Sequence, residues 1–234
     1  MLSQRFSKRL RTYYRWRFHS ILKRTARIVD KTLYIITPFT GNSADRANLQ
    51  SGVASIIKQQ LCGWRVILLV VCPHGTDIND LPLVPDWLEI KVIEQKTGKT
   101  SVASLRNFGM SIVESGWIMF VDCENRLAEN ALQMITESIS ANCGVLLFRV
   151  FDAVKDKTKP ALESTSPRIG DIDSMGIVIN ADLKKQTLWQ PKQESEYFFF
   201  QNVSSMSTHY GYQNLFLQQV IGSRVDSDKL SIDQ

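Results

Sequence analysis

Two carboxylates follow one apolar run of the chain at a spacing that suits metal chemistry. Asp122 and Glu124 come directly after the run WIMFV and are separated only by Cys123. Acids at positions i and i+2 beyond the end of a buried strand can both turn toward one oxygen-ligated Mg²⁺ or Mn²⁺, which would neutralise a diphosphate leaving group. Such a pair can instead cap the strand or solvate a turn. The spacing alone leaves both interpretations open.

The elements that position this pair alternate along the chain from residue 33 onward. Apolar runs of strand length alternate with stretches of helical period. The predicted strands are LYIITPF, RVILLVV, LEIKVIE, WIMFVD, GVLLFRVF and MGIVIN, and the predicted helices lie near residues 44–60, 101–115 and 127–139. Residues 152–172 and 190–196 are predicted as loops. The alternation predicts an α/β fold with a mainly parallel central sheet and helices on both faces. Open sheets of this kind bind ligands at the carboxyl ends of their strands, where Asp122 and Glu124 lie.

The composition is that of one ordinary globular domain. The chain has 234 residues, of which 44% are hydrophobic and 22% charged, and this length can bury a core without staples. No stretch approaches the ~18 consecutive apolar residues of a membrane span. The cysteines form no C-x-x-C pair, which argues against a zinc ribbon or a disulfide framework and favours a reducing cytoplasm. They are Cys62, Cys72, Cys123 and Cys143.

The net charge of +5 is concentrated at the N-terminus. Residues 1–29 hold nine Lys or Arg and no acid, which leaves 19 basic against 23 acidic residues in the remainder. We therefore divide the chain into a basic amphipathic helix at residues 1–30, a domain at 31–225 and a polar tail at 226–234. The helix is predicted either to lie on an anionic membrane surface or to pack on its own domain or a partner. Nucleic acid is not an expected partner, because the rest of the chain is acidic and has no recognisable binding module. The apolar run of a secretory signal is absent, so we expect a cytoplasmic location, including the inner face of the membrane.

One block of sequence resembles the central motif of family 2 glycosyltransferases. In that family a helix with an Arg-Asn-x-Gly element leads through a small-residue turn and a strand to an Asp-x-Asp metal site. In SVASLRNFGMSIVESGWIMFVDCEN, residues 106–109 match the helical element, Gly116 matches the turn, and Asp122 with Glu124 matches the metal site. Weaker similarity, in the family's order, extends the resemblance to roughly residues 33–220.

The resemblance implies a glycosyltransferase A (GT-A) fold with a Rossmann-like nucleotide-binding half. It implies an inverting transfer of a sugar from a nucleotide-sugar donor to a glycan or glycolipid acceptor. Asp122 and Glu124 would hold Mn²⁺ or Mg²⁺, with Asp122 and Arg106 near the donor. The segments ITPFTGN and VVCPHGTD resemble the first strand with its loop and the second strand with its nucleotide loop, so Pro38 and Asp77 are also implied at the donor. The alternatives for Arg106 are an exposed helix arginine or a salt bridge to Asp122.

Two positions depart from the family's pattern. Cys72 and Pro73 stand where the family has acids that hold the base and ribose, and neither accepts a hydrogen bond as a carboxylate does. The family's catalytic carboxylate belongs to a Glu-Asp pair at the start of a late helix. GYQNLFLQQV is assigned to that place and has Gln213 and Asn214, and an amide cannot act as a general base.

Other residues are therefore candidates for the base. Glu196, in the predicted loop before the run YFFF, is the first candidate, and Glu194 and His209 are further ones. The departures keep a second function open, a glycosyltransferase-like binding or scaffolding protein that has lost transfer. A nucleotidyltransferase is disfavoured because no glycine-rich basic loop follows the first strand. Without a readable Cys-His arrangement, Cys72 and Cys123 are interpreted as small residues that fill the floor of the site.

Overall fold

The computed structural model describes residues 29–61, 63–78, 81–96, 98, 100–161 and 166–225. Almost all of the predicted N-terminal helix and the whole predicted tail at 226–234 lie outside the described residues. Within the described ranges, no helix has the length and apolar character needed to cross a membrane.

Four α-helices and nine β-strands make up the regular structure of the described ranges. The helices are α1 (Ser43–Ile57), α2 (Val102–Ile112), α3 (Ala131–Ser138) and α4 (Ser195–His209). The strands are β1 (Thr32–Pro38), β2 (Arg65–Pro73), β3 (Leu88–Gln95), β4 (Trp117–Phe120), β5 (Asn125–Leu127), β6 (Cys143–Asp152), β7 (Lys157–Lys159), β8 (Ile177–Asn180) and β9 (Gln213–Arg224). Two 3₁₀ turns, Ser174–Gly176 and Ala181–Gln186, flank β8.

The strands form one mixed sheet in the order β3-β2-β1-β4-β8-β6-β9-β5, with β7 paired to β6. The first four strands of this order, β3, β2, β1 and β4, run parallel, and we call them the parallel half. Beyond them β8 is antiparallel to both β4 and β6, whereas β6 and β9 are parallel. The predicted α/β class with a mostly parallel sheet is confirmed.

Helices cover both faces of the sheet, as predicted. Along β2, Leu68 and Val70 point into one core with α1 and α3, while Ile67 and Leu69 point into a second core with α2 and α4. A strand that is buried on both faces has no polar side to show. This is why RVILLVV is a continuous apolar run rather than an alternating one.

Two glycines allow the backbone approaches that bring α2 and β4 into place. A Cβ at Gly109 of α2 would lie 2.7 Å from a methyl of Ile36, so the helix packs directly on the sheet. Gly116, between α2 and β4, has φ +95, and a Cβ there would lie 2.5 Å from the carbonyl oxygen of Thr32. Only glycine adopts this conformation without strain. The turn therefore fixes where β4 begins, and β4 in turn delivers Asp122.

Four boundaries differ from the sequence-based expectation. The helix predicted near 127–139 begins only at Ala131, after β5, and β7 interrupts the predicted loop at 152–172. The late helix is α4, which begins at Ser195 within a stretch predicted to be loop. The segment GYQNLFLQQV does not begin a helix, because residues 213–224 are β9. The pairing of β9 with β6 contains three register shifts, and such irregularities hide the period-2 alternation of a strand.

Candidate functional site

The turn that carries the two acids is held from several sides at the end of β4. The backbone N–H of Asn125 donates to the carbonyl of Asp122 at 2.9 Å, which closes the turn. The Arg126 guanidinium donates to the carbonyls of Cys123 at 2.7 Å and Asn125 at 2.9 Å, and also to Ser51 on α1 at 2.5 Å. The turn is thereby attached to α1, and its two acids line a cleft.

The cleft has a volume of about 680 Å³ and lies beyond the carboxyl end of β4. This volume is in the range of small-molecule sites. Asp122 and Glu124 contribute to one wall, together with the first turn of α2, the 3₁₀ segment near Ser174, the β6–β7 hairpin and the start of α4. The charged residues that line it are Arg106, Asp122, Glu124, Lys155, Lys159, Asp173, Lys192, Glu194, Glu196 and Arg224.

Arg106 forms a salt bridge with Asp122 in the interior of the site. Its Nη2 lies 2.8 Å and 2.6 Å from the two carboxylate oxygens and 3.0 Å from the Ser174 hydroxyl, and the residue is 3% exposed. Burial works to lower the pKa of Arg106, but the charge and hydrogen bonds of Asp122 outweigh burial and raise it. The salt-bridge alternative for Arg106 is thus the arrangement found, and a fixed positive charge lies beside the first acid.

Glu124 is bound by a second arginine, at the end of β9. Its carboxylate lies 2.8 Å from Nε of Arg224, and its backbone carbonyl accepts from the N–H of Val225 at 3.1 Å. Burial raises the pKa of Glu124, opposed by Arg224, and the neighbouring acids Asp122 and Asp173 add to the rise. The two acids of the turn therefore have different surroundings, because the partner of Asp122 is buried and the partner of Glu124 is partly exposed.

Glu196 lies in the first turn of α4 and faces the same cleft. Its Oε1 is 3.7 Å from Nη1 of Arg106, so one guanidinium lies between Asp122 and Glu196. Its placement in a loop is corrected, since the helix begins one residue earlier. The N-terminal end of a helix favours a negative charge. Glu194 precedes the helix in the left-handed region at φ 62, a strained conformation for a residue with a side chain.

The amides assigned to the family's catalytic position lie elsewhere. Gln213 and Asn214 are on β9, and the Asn214 side chain donates to the carbonyl of Ser204 at 3.0 Å on the outer part of α4. Neither amide lines the cleft. The late helix of this chain is α4, with Glu196 in its first turn, so the segment compared with the family's late helix is a strand. The catalytic role of Glu196 stays a prediction.

Three residues that sequence reasoning missed complete the site. Asp173 accepts from the backbone of Met175 at 3.0 Å and from the Asn125 side chain at 3.3 Å, and burial raises its pKa. Ser174 donates to Asp122 at 3.2 Å. Trp189 is buried beside Arg106. Only the position of Asp173 and Ser174 just before the run GIVIN could have indicated them, because β8 pairs with β4.

The donor positions implied in the first two strands lie outside this cleft. Pro38 is buried at the end of β1, where its carbonyl accepts from the Cys123 thiol at 3.5 Å. Asp77 is exposed, and its carbonyl accepts from Arg46 at 2.8 Å. The structure thus brings together Arg106, Asp122, Glu124 and Glu196, but not Pro38 or Asp77. The donor-binding roles of Pro38, Asp77, Arg106 and Asp122 stay predictions, as do the metal-binding role of Asp122 with Glu124 and the catalytic role of Glu196.

Beside the end of β2, the neighbouring strand β3 carries an acid, Glu94, where β2 itself has Cys72. Cys72 is fully buried, and its register partner on β3 is Glu94. The Glu94 carboxylate lies 2.5 Å from Nδ1 of His74, which lowers the pKa of Glu94. Burial raises the pKa values of the Cys72 and Cys123 thiols, which agrees with their interpretation as inert small residues.

The donor chemistry of the turn suits a hard divalent cation. Asp122 and Glu124 both present carboxylate oxygens to the cleft, and Mg²⁺ characteristically uses one or two carboxylates together with waters and phosphate oxygens. Across the described ranges no group of three or more His, Cys, Asp or Glu residues is arranged to hold a metal. A cation here would share each carboxylate with an arginine and take its other ligands from the substrate or water.

Comparison with known proteins identifies the fold. No protein-family model matches the sequence, and no curated protein matches it either. Solved structures of S. aureus TarS, a glycosyltransferase, are similar to it. A TarS 1–349 structure aligns at a TM-score of 0.58 and 15% identity over 83% of this chain and 60% of that one. A TarS structure aligns at 0.61 and 14% over 84% and 37%, and TarS 1–349 in complex with UDP-GlcNAc at 0.55 and 14% over 87% and 61%. The chain therefore has a glycosyltransferase-like fold and spans less than two thirds of each TarS chain.

Proposed function

We propose that this protein is a glycosyltransferase that uses a nucleotide-sugar donor. The observation that carries the proposal is the arrangement of Asp122, Arg106 and Glu196 in one cleft at the end of β4, with Glu124 beside them. An acid that can bind a metal–diphosphate group thus faces an acid that can accept a proton. The similarity to TarS, whose structures include complexes with UDP and UDP-GlcNAc, supports a nucleotide-sugar donor.

The side chains have separate roles in the proposed reaction. Glu196 accepts the proton of an acceptor hydroxyl as that hydroxyl attacks the anomeric carbon, in a transfer that inverts its configuration. Asp122 and Glu124 would hold Mn²⁺ or Mg²⁺. When bound, this cation supplies positive charge for the departing diphosphate. The Arg106 guanidinium lies within ion-pair distance of both Asp122 and Glu196, so it orients the two carboxylates in the cleft.

The acceptor and the place of action follow from the resemblance and the basic leader. We propose a family 2-type enzyme that acts on a glycan or glycolipid acceptor at the cytoplasmic face of a membrane. Residues 1–29 would bind the anionic surface, with each cation contributing about 1 kcal/mol near the headgroups. Deleting these residues and measuring flotation with anionic vesicles tests this, and equal flotation of both forms would contradict it.

A second candidate function is a binding or scaffolding protein without transfer. It keeps support from Cys72 and Pro73, which leave the end of β2 without an acid for the ribose. Its other support is weakened, because Gln213 and Asn214 do not occupy the start of the late helix. The two candidates differ in whether nucleotide-sugar hydrolysis occurs.

The test is a thermal-shift screen of the full chain against UDP, GDP, CDP and dTDP, each with and without Mn²⁺. A ligand at 100 times its Kd stabilises the folded state by about 2.7 kcal/mol. We expect one nucleotide to raise the Tm only with metal, and Asp122→Asn or Glu124→Gln to remove that rise. Glu137→Gln, on the exposed face of α3, is the matched control and should keep it. No shift with any nucleotide, together with no hydrolysis of the corresponding nucleotide sugars, would favour the scaffold.

A further inference from the structure

The side chain of Asn107 makes two hydrogen bonds to the backbone of Trp189, a residue 82 positions away in the chain. Its side-chain amide donates to the carbonyl of Trp189 at 2.9 Å, and its side-chain carbonyl accepts from the N–H of Trp189 at 2.8 Å. The backbone N–H and C=O of Trp189 are thus both hydrogen-bonded to one side chain. Asn107 adjoins Arg106, so neighbouring residues of α2 contact two different parts of the site, the Asp122 carboxylate and the chain that leads into α4.

The Trp189 side chain is held as firmly as its backbone. Its ring stacks on Phe199 of α4, with centroids 4.1 Å apart and planes 7° from parallel, and the Arg106 guanidinium lies 4.3 Å from the ring centroid. Phe120 of β4 packs edge-on against both rings. Trp189 is 2% exposed, and its indole N–H has no hydrogen-bond partner among the described residues. The indole is therefore held by its ring contacts with Phe199 and Arg106 rather than by a hydrogen bond.

The chain between Trp189 and Glu196 makes few backbone hydrogen bonds among the described residues, and its Lys192 ammonium lies 3.6 Å from the ring centroid of Phe198. Over these residues the backbone bonds are one short turn, from Lys192 N–H to the Gln190 carbonyl at 2.9 Å, and the first helical bond from Phe198 to Glu194. Glu194 adopts the strained left-handed conformation, which persists only where the flanking structure imposes it. Asn107 and the stacked side chains of Arg106, Trp189 and Phe199 hold the two ends of this segment.

We propose that Asn107 and Trp189 are positioning residues that hold Glu196 against the cleft, with Arg106 between it and Asp122. The inference rests on the proposed function, in which Glu196 takes the proton of the acceptor. This gives a physical reason for an Arg-Asn pair on α2. Arg106 places a positive charge beside Asp122 and Glu196, and Asn107 fixes the position of the chain that carries Glu196. Loss of the two Asn107–Trp189 hydrogen bonds leaves Asp122 and Glu124 in place but allows Glu196 to move away from the reacting hydroxyl. Small displacements of this kind lower the chemical rate more than substrate binding.

The test compares Asn107→Ala with Asn214→Ala in the full chain. Asn107 bonds Trp189 in the chain that leads into α4, whereas Asn214 bonds the far end of α4, at Ser204 and Thr208. Hydrogen exchange, which needs no activity, is measured for amides 187–196. In Asn107→Ala we expect these amides to exchange at least tenfold faster, while exchange in β1 and β2 stays unchanged. In Asn214→Ala we expect the exchange of amides 187–196 to stay at the wild-type rate. Unchanged exchange of 187–196 in Asn107→Ala would overturn the proposal.

Steady-state kinetics then separates positioning from mere local order. With nucleotide-sugar hydrolysis measured over UDP-, GDP-, CDP- and dTDP-sugars, Asn107→Ala should lower kcat at least tenfold while the donor KM changes less than threefold. Trp189→Leu should behave similarly, and Trp189→Phe, which keeps a ring between Arg106 and Phe199, should recover most of the loss. If the wild type is active and Asn107→Ala keeps its kcat, the positioning role is wrong while the proposed function stands. A wild type inactive on every donor overturns both.

Discussion

Two ion pairs of almost equal length lie in different regions of the sheet and have different surroundings. In the parallel half, Arg65 and Glu89 are 2.5 Å apart with side chains 62% and 39% exposed. On the β6–β7 hairpin, which lines the cleft, Lys159 and Asp152 are 2.6 Å apart and 10% and 1% exposed. Exposed pairs contribute little, whereas breaking a buried pair leaves a charge without compensation. The parallel half is thus held by apolar packing, and the region around the cleft depends on matched charges.

The largest expected effect comes from breaking the buried pair. Lys159→Met should lower the free energy of unfolding by about 3–5 kcal/mol, because Asp152 stays buried without its partner. Burial works to raise the pKa of Asp152, but the hydrogen bond and charge of Lys159 lower it below its ordinary 3.8. A depressed pKa stabilises the fold above the unfolded value and loses that contribution as the pH falls through the folded value. The difference between wild type and variant should therefore be largest near pH 7 and shrink below about pH 4.

Urea denaturation across that pH range measures this prediction. Lys155→Met, an exposed lysine of the same hairpin, is the matched control and should change the stability by less than about 0.5 kcal/mol. A loss below about 1 kcal/mol for Lys159→Met would mean that the two regions do not differ in their dependence on charge.

An intermediate effect is expected from packing in the parallel half. In Gly109→Ala the new methyl would meet Ile36 at 2.7 Å and Val71 at 3.1 Å. Overpacking of this kind costs about 1–3 kcal/mol, offset by about 0.5–1 kcal/mol of helix propensity. We expect a net loss of roughly 1 kcal/mol that is independent of pH and salt. Ser111→Ala, exposed on the same helix, measures propensity alone and should be neutral or stabilising. A stabilised Gly109→Ala would show that α2 does not need this close approach.

The smallest effect is expected at the exposed pair. Arg65→Gln should change the free energy of unfolding by no more than about 0.5 kcal/mol, and less in 0.5 M salt than in 0.05 M salt, because exposed charges are screened. Chemical denaturation at the two salt concentrations provides the measurement. A salt-insensitive loss above about 1 kcal/mol would remove the contrast between the two pairs.

The same difference between the apolar strands and the polar region around the cleft determines which elements could be predicted from the sequence. Continuous apolar runs gave β1, β2, β4 and β6, and the turn after β4 placed Asp122 and Glu124 at the correct end of the sheet. Hydrophobic period is a signal over a few neighbouring residues. It is strong in β1, β2 and β4 because these strands are buried on both faces, whereas the border strand β3 is partly exposed.

The region around the cleft lacks such local signals. The sequence of β9, which includes Gln213, Asn214, Gln218 and Gln219, is assigned to the family's late helix by resemblance. Its register shifts against β6 interrupt the alternation that would have indicated a strand. The start of α4 has no side-chain hydrogen bond at its cap that would mark it in the sequence. The pairing of Arg106 with Asp122 was open to prediction as an alternative. The hydrogen bonds between Asn107 and Trp189 join residues 82 positions apart and could not be inferred from spacing.

The two outer strands of the sheet carry a further consequence. Within the described ranges β3 ends the sheet on one side, with Glu89, Lys91 and Glu94 along it, and the three-residue β5 ends it on the other. Charged or very short border strands are poor templates for another chain. Self-association by strand addition is thus opposed at both borders, and the protein can keep a long, strongly apolar sheet without becoming prone to aggregate through it.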